Sequence, residues 1–197
     1  GDLDLVTANS VMNTVSVLMN VGGGTFAPHV DYSVGHAPIC AVAADLDADG
    51  DLDVAVANST DNTVSVLYNR WGYGVLADRS DYATGTYPAA VAAADLDRDG
   101  HIDLIVANAT SASVSVLRND ETGSFEPKVD YATGGAAWSV VVGDWDRDGY
   151  LDLAVAAGSS TVSVLRNQGD GTFAPRVNYG TGPSPRSVAT TDVDADG

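Results

Sequence analysis

One nine-residue pattern, D-x-D-x-D-G-x-x-D, recurs along this 197-residue chain and limits what it can fold into. Its core reads DLDADG at 45–50, DLDRDG at 95–100, DWDRDG at 144–149 and DVDADG at 192–197, at spacings of 50, 49 and 48 residues. Two further landmarks keep the same step. NTVSVLMN at 13–20 returns as NTVSVLYN, SVSVLRN and TVSVLRN, and DYSVG at 31–35 returns as DYATG, DYATG and NYGTG. Three landmarks in constant order define four copies of one unit, 1–49, 50–99, 100–148 and 149–197, and self-similarity at such a period signals a repeat architecture.

The acidity belongs to the repeat. Of 27 Asp and Glu residues, 18 lie in the pattern, against only 9 Lys and Arg in the whole chain, for a net charge of −18. Carboxylates this dense repel one another unless a cation sits among them. A charge of this sign argues against nucleic acid and against anionic lipid as partners. Apolar residues make up 45 % of the chain, which does not fit a disordered acidic tail, and no apolar run is long enough to span a membrane. Cys40 is the single cysteine, so no internal disulfide can form. The chain starts at Gly1 rather than Met and reads as a processed form or a fragment, so the lack of a visible signal peptide says little.

Each unit holds four short β-rich segments between turn residues. Around the second Asp cluster these are Ala89 to Ala94, His101 to Asn108, Ser113 to Asn119 and Phe125 to Tyr131. No stretch shows helical spacing of apolar residues. Four strands at a period near 49 predict an all-β chain of β-propeller blades, either a closed four-bladed ring or a fragment of a seven- or eight-bladed propeller. The Ala- and Val-rich first segments suit innermost strands, which taper toward an axis.

Oxygen ligands at alternate positions, Gly at the sixth and a carbonyl at the seventh suit a hard cation such as Ca²⁺. An EF-hand would need Glu at position twelve and flanking helices, but Val56, Val106 and Val155 stand there. The ninth-position aspartate closes the loop instead. Three sites follow: Asp45, Asp47, Asp49, the Asp51 carbonyl and Asp53; Asp95, Asp97, Asp99, the His101 carbonyl and Asp103; Asp144, Asp146, Asp148, the Tyr150 carbonyl and Asp152. A fourth is divided between the ends, with Asp192, Asp194 and Asp196 at one and Asp2 and Asp4 at the other. If the ends meet, a strand at about Arg186 to Thr191 completes the blade begun by Leu3 to Asn20. If they do not, both expose strand edges open to self-association.

These loops, the DLAVA-like strand after them and the N-x-G-x-F-like turn (Gly22 to Phe26, Gly123 to Phe125, Gly169 to Phe173) resemble the FG-GAP/VCBS-type repeats of integrin-α-like β-propellers. Gly72 to Leu76 departs from the turn. The resemblance implies Ca²⁺ in the loop joining the first two strands of each blade. It also implies a secreted or cell-surface location, in adhesion molecules, lectins and non-catalytic parts of polysaccharide-degrading enzymes.

No enzyme is expected. His29, His36 and His101 do not recur, none sits beside a candidate nucleophile, and Cys40 lies in an inner strand as a buried thiol. The expected function is a calcium-stabilised scaffold for adhesion or protein contact, with a calcium-dependent carbohydrate-binding module as the alternative. For the latter the available rings are Trp71, Tyr73, Tyr87 and Trp138, which fall in two turn types on opposite faces and more readily cover blade junctions. Tyr32, Tyr82, Tyr131 and Tyr179 recur once per unit and read as architecture, and Trp145, inside its loop, reads as packing. Asn58-Ser59-Thr60 and Asn108-Ala109-Thr110 are glycosylation sequons, a triplet common by chance.

Overall fold

The computed structural model describes residues 2–70 and 74–194, and all its regular elements are β-strands. The first sheet holds β1 (Leu5–Asn9), β2 (Thr14–Leu18) and β3 (Val30–Ser33). A second runs β4 (Pro38–Ala44), β5 (Asp53–Asn58), β6 (Thr63–Tyr68), β7 (Ala77–Ala83). The next has β8 (Pro88–Ala94), β9 (Asp103–Asn108), β10 (Ser113–Leu117) and β11 (Val129–Ala132). The last has β12 (Ala137–Gly143), β13 (Asp152–Ala157), β14 (Thr161–Leu165) and β15 (Val177–Gly180). Every pairing is antiparallel between chain neighbours, as in a propeller blade. The sheets straddle the units marked from one Asp cluster to the next, because each inner strand precedes its cluster.

Strand limits differ from the sequence reading at the fourth segment. Phe125 forms only an isolated bridge with Asn119, and the ladder resumes at Val129. Pro127 lies between them, and proline has no N–H to give to a ladder.

The inner strands β4, β8 and β12 neighbour one another in turn, and β1 lies against β4. Alternation gives each central strand two apolar faces. Val54, Val56 and Leu67 face the first sheet beside Val15 and Val17, while Ala55, Ala57, Val64 and Val66 face the third beside Leu104, Val106 and Leu117. The third and fourth sheets repeat the arrangement through Ile105, Val114, Leu153 and Val155. The core is therefore three inter-blade layers. Two of the recurring tyrosines pack across blades, Tyr82 meeting Phe125 and Tyr131 meeting Phe173 edge to face at 5.2 and 5.3 Å, whereas Tyr179 of the last sheet is 55 % exposed. Leu76 fills the corresponding place beside Tyr32.

A polar ladder crosses each of the first three sheets, while in the last Ala157 replaces the asparagine and Ser163 Oγ donates to Asn178 Oδ1. Asn58 Nδ2 donates to Ser65 Oγ at 2.8 Å, and that hydroxyl donates to Asp81 Oδ1 at 2.6 Å. Asn108, Ser115 and Asp130 repeat it, and Gly35 and Gly85 of the preceding blades donate their N–H to the serines. Both sequon asparagines are thus fully buried with Nδ2 bonded, which removes them as glycan acceptors in the folded chain.

Residues 186–191 form no strand. This stretch runs beside β12, where Val188 N approaches Ser139 Oγ at 3.5 Å, so among the described residues the first blade keeps three strands and no ladder joins the two ends.

Candidate metal centre

The loops between β4 and β5, β8 and β9, and β12 and β13 fold alike. The fourth position takes a left-handed backbone at Ala48, Arg98 and Arg147 (φ 58, 64 and 60°), a conformation that costs a non-glycine residue on the order of 1 kcal/mol. Gly50, Gly100 and Gly149 follow at φ 92–94°. The resulting wrap lets the first aspartate accept the sixth-position N–H (Asp45 3.1, Asp95 3.0, Asp144 2.9 Å). The fifth-position aspartate accepts the seventh-position N–H, from Asp51, His101 and Tyr150, at 2.9, 2.8 and 2.8 Å.

Side chains at positions one, three and five converge. Asp45, Asp47 and Asp49 each offer an oxygen within 4.8 Å of the others, as do Asp95, Asp97 and Asp99, and Asp144, Asp146 and Asp148. Asp45 Oδ1, Asp47 Oδ1, Asp97 Oδ1 and Asp144 Oδ1 are buried without a hydrogen-bond partner. A buried carboxylate oxygen with no donor is costly, and a shared cation would satisfy several at once. The donor set therefore fits a metal ion. Burial first, and the neighbouring Asp49 or Asp99 charge second, raise the affinity of Asp47 and Asp97 for a proton.

The ninth aspartate has a different place. Asp53 is buried, with Oδ2 accepting from Leu46 N at 2.9 Å and Oδ1 from Asn69 N at 2.7 Å. Asp103 repeats this with Leu96 and Asn119, and Asp152 Oδ1 accepts from Asn167 N at 2.9 Å. These residues tie the loop to the end of the third strand. Desolvation pushes both Asp53 and Asp103 up to about 6 against the opposing pull of those N–H groups, and raises Asp152 as well.

The divided fourth copy is only partly described, Gly1 and Asp196 lying outside the described residues. Asp4 keeps the ninth-position role, accepting Asn20 N at 2.6 Å. Asp2, Asp4, Asp192 and Asp194 form no converging group among the described residues.

Two sets of residues escaped the sequence reading. Asn119 Nδ2 donates to Leu46 O of the preceding blade's loop at 2.8 Å, and Asn167 Nδ2 does the same to Leu96 O at 2.8 Å. Each asparagine clasps one acidic loop to the next blade; the recurring N after SVL was the available signal. Arginines form the other set: Arg70, Arg118 and Arg166 approach Oδ2 of Asp47, Asp97 and Asp146 at 3.6, 3.6 and 3.2 Å.

Several expectations for single side chains shift. Trp145 is 42 % exposed, whereas Leu46 and Leu96 at the same loop position are 1 % and 0 % exposed. A following blade covers those leucines, and none covers Trp145 among the described residues. Cys40 is half-buried, with Sγ 4.0 Å from Val91 O. Tyr87 contacts Trp138 edge to face at 6.1 Å, and Arg186 lies over the Trp138 ring at 3.8 Å, while Trp71 and Tyr73 are outside the described residues. His36 pairs with Asp61 at 2.9 Å and His29 with Asp31 at 3.7 Å. No helix of the described residues is long and apolar enough to cross a membrane.

Comparison with known proteins agrees with this construction. The architecture is similar to an Agrocybe aegerita lectin described as recognising non-reducing terminal N-acetylglucosamine (24 % identity, TM-score 0.61, 86 % of this chain and 47 % of that one). It is also similar to a functionally unknown protein from Desulfotomaculum acetoxidans DSM 771 (20 %, TM-score 0.62, 92 % and 57 %). BBS1N, solved in complex with ARL6DN, is a further likeness (14 %, TM-score 0.64, 92 % and 53 %). These likenesses are of fold, and the chain spans about half the length of the structures it matches. No curated protein matches the sequence. The FG-GAP-like repeat family matches residues 1–56, 45–106, 95–155 and 148–197, and with blades, loops and clasps in the same register the chain belongs to that family.

Proposed function

We propose that this chain is a calcium-stabilised, non-catalytic propeller scaffold that works outside the cell in adhesion or protein contact. The observation that carries the reading is the set of buried, unpartnered oxygens on Asp45, Asp47, Asp97 and Asp144 inside converging carboxylate triads. Several carboxylates with no nitrogen or sulfur donor favour Ca²⁺ over a transition metal, and Mg²⁺ retains more of its waters than such a loop leaves room for. The ion would be held by Asp45, Asp47 and Asp49, by Asp95, Asp97 and Asp99, and by Asp144, Asp146 and Asp148. The Asp51, His101 and Tyr150 carbonyls would add to that set, with Asp53, Asp103 and Asp152, whose oxygens accept backbone N–H groups, beside it. When bound it supplies positive charge that offsets repulsion among the carboxylates. Asp53, Asp103 and Asp152 carry that order to the third strand through their N–H acceptors.

Extracellular calcium-binding modules work at roughly 10⁻⁴–10⁻³ M, and sites in that range fill outside the cell but not at cytosolic calcium. A repeat family typical of extracellular proteins supports an outside location. A non-catalytic role is supported by His29 and His36, whose side chains are paired with aspartates rather than poised at a nucleophile. The scaffold is preferred to a sugar-binding module because Arg186 occupies a face of Trp138 that stacking would need.

Calorimetric titration of the chelator-stripped chain with CaCl₂, followed by thermal melting, tests the reading. Saturable uptake with a rise in melting temperature is expected; no uptake at 10 mM, or uptake with unchanged melting, would refute it. A glycan array run in calcium decides the scaffold question, since binding to a defined sugar would replace that assignment.

A further inference from the structure

The geometry points to Arg70, Arg118 and Arg166 as built-in counter-cations of the three acidic loops, holding them folded when calcium is low and weakening their grip on the ion. This inference rests on the calcium reading above and adds how affinity is set. Each guanidinium approaches the same atom of its loop group, Oδ2 of Asp47, Asp97 or Asp146. In the first two loops the other oxygen, Oδ1, is the buried one without a partner. In those two loops one carboxylate oxygen faces the arginine while the other stays buried without a donor.

The arginines are not one repeated position. Arg118 and Arg166 precede the clasp asparagines Asn119 and Asn167, whereas Arg70 follows Asn69. Two different sequence positions thus deliver a guanidinium to the same carboxylate oxygen. The first unit has Met19 and Val21 around Asn20 and no arginine there. Arg118 also donates to the Asp170 carbonyl of the next blade, so its charge bridges a loop and a neighbouring turn.

A cation beside the triad relieves repulsion in the empty loop and repels an incoming divalent ion. At the partly exposed distances seen, one such charge changes ion affinity by roughly three- to tenfold. Orienting the carboxylate acts the other way, as outer-shell partners do at metal sites. Each approach to the carboxylate is a long ion pair of 3.2–3.6 Å, so charge outweighs orientation here.

The test compares the triple Arg70→Met, Arg118→Met, Arg166→Met chain with the triple Lys version, the single Arg118→Met variant and the exposed control Arg176→Met. In chelator the triple Met chain should melt about 2–4 °C lower per arginine, with the gap narrowing in high salt. Titration with CaCl₂ should show each site tighter by roughly three- to tenfold, while Lys versions and Arg176→Met stay near the parent chain. Should the triple variant fail to fold, Arg118→Met alone carries both readouts. Equal destabilisation with and without calcium, or calcium binding unchanged or weaker, would overturn the assignment. If the parent chain takes up no calcium, the scaffold reading fails separately, and the arginine role is decided by the salt-dependent melting in chelator.

Discussion

Replacing Asn119 by alanine isolates how strongly one blade holds the acidic loop of another. The side chain is buried and makes three contacts: Nδ2 donates to Leu46 O at 2.8 Å and to Ile102 O at 3.1 Å, and Oδ1 accepts Gly123 N at 3.3 Å. Alanine leaves three backbone groups short of a partner in a layer closed to water. At about 1 kcal/mol for each bond, the loss is about 3 kcal/mol. For a chain of this size that corresponds to a melting temperature lower by roughly 6–12 °C. Asn20 provides the comparison, because it donates to Leu3 O at 3.1 Å within its own blade and accepts from Gly22 N at 2.9 Å, near solvent. Asn20→Ala should therefore cost about 1 kcal/mol and roughly 2–4 °C. Circular-dichroism melts of both variants in chelator and in calcium make the comparison. Equal falls for the two would show that the inter-blade bond contributes nothing beyond the local turn, and the clasp would have to be abandoned.

Gly123→Ala should be more disruptive than Gly24→Ala, although both glycines have positive φ (83 and 73°). A Cβ at Gly123 would lie 2.5 Å from Asp47 Cβ and 3.0 Å from Asp47 Cα, whereas at Gly24 nothing lies within 4 Å. Expected losses are about 3 kcal/mol against about 1, read from urea midpoints, and equal losses would contradict the packing of that turn on the loop. Stability without calcium should depend on pH in a direction set by Asp53 and Asp103, whose pKa values rise to about 6 from 3.8 through desolvation. A raised carboxylate favours the protonated folded state, so its contribution is full below the unfolded value and is lost as pH climbs through about 6. Melting in chelator should consequently be higher at pH 5 than at pH 7.5, and saturating calcium should shrink that difference. A metal-free chain that melts higher at pH 7.5 would contradict the burial of these two groups.

Much of the molecule was legible in the chain because its determinants are local. The alternation in TVSVL makes a two-faced strand, and Gly after three alternate aspartates makes a loop that aims carboxylates inward. Ala and Val before the cluster make a narrow inner strand. All three follow from spacing of two and from backbone freedom at one residue, and the structure repeats them at each of the three loops. Tyr32, Tyr82 and Tyr131 were likewise readable as architecture from periodicity, whereas Tyr179, at the same spacing, is exposed.

Contacts between blades were not readable in that way. Asn119 finds Leu46 O across 73 positions, and Arg70 reaches the same carboxylate position as Arg118 and Arg166 from a different place in its unit. Trp145 is exposed, although it stands where its counterparts are buried, and the sequons at Asn58 and Asn108 are shut inside polar ladders. Only the stacking of sheets decides such partners, since it brings the turn of one blade against the loop of another. Local pattern thus determined the blade and its acidic loop. Tertiary packing decided which donors and cations each loop receives, because the free energy of a buried polar atom depends on what the neighbouring sheet presents to it.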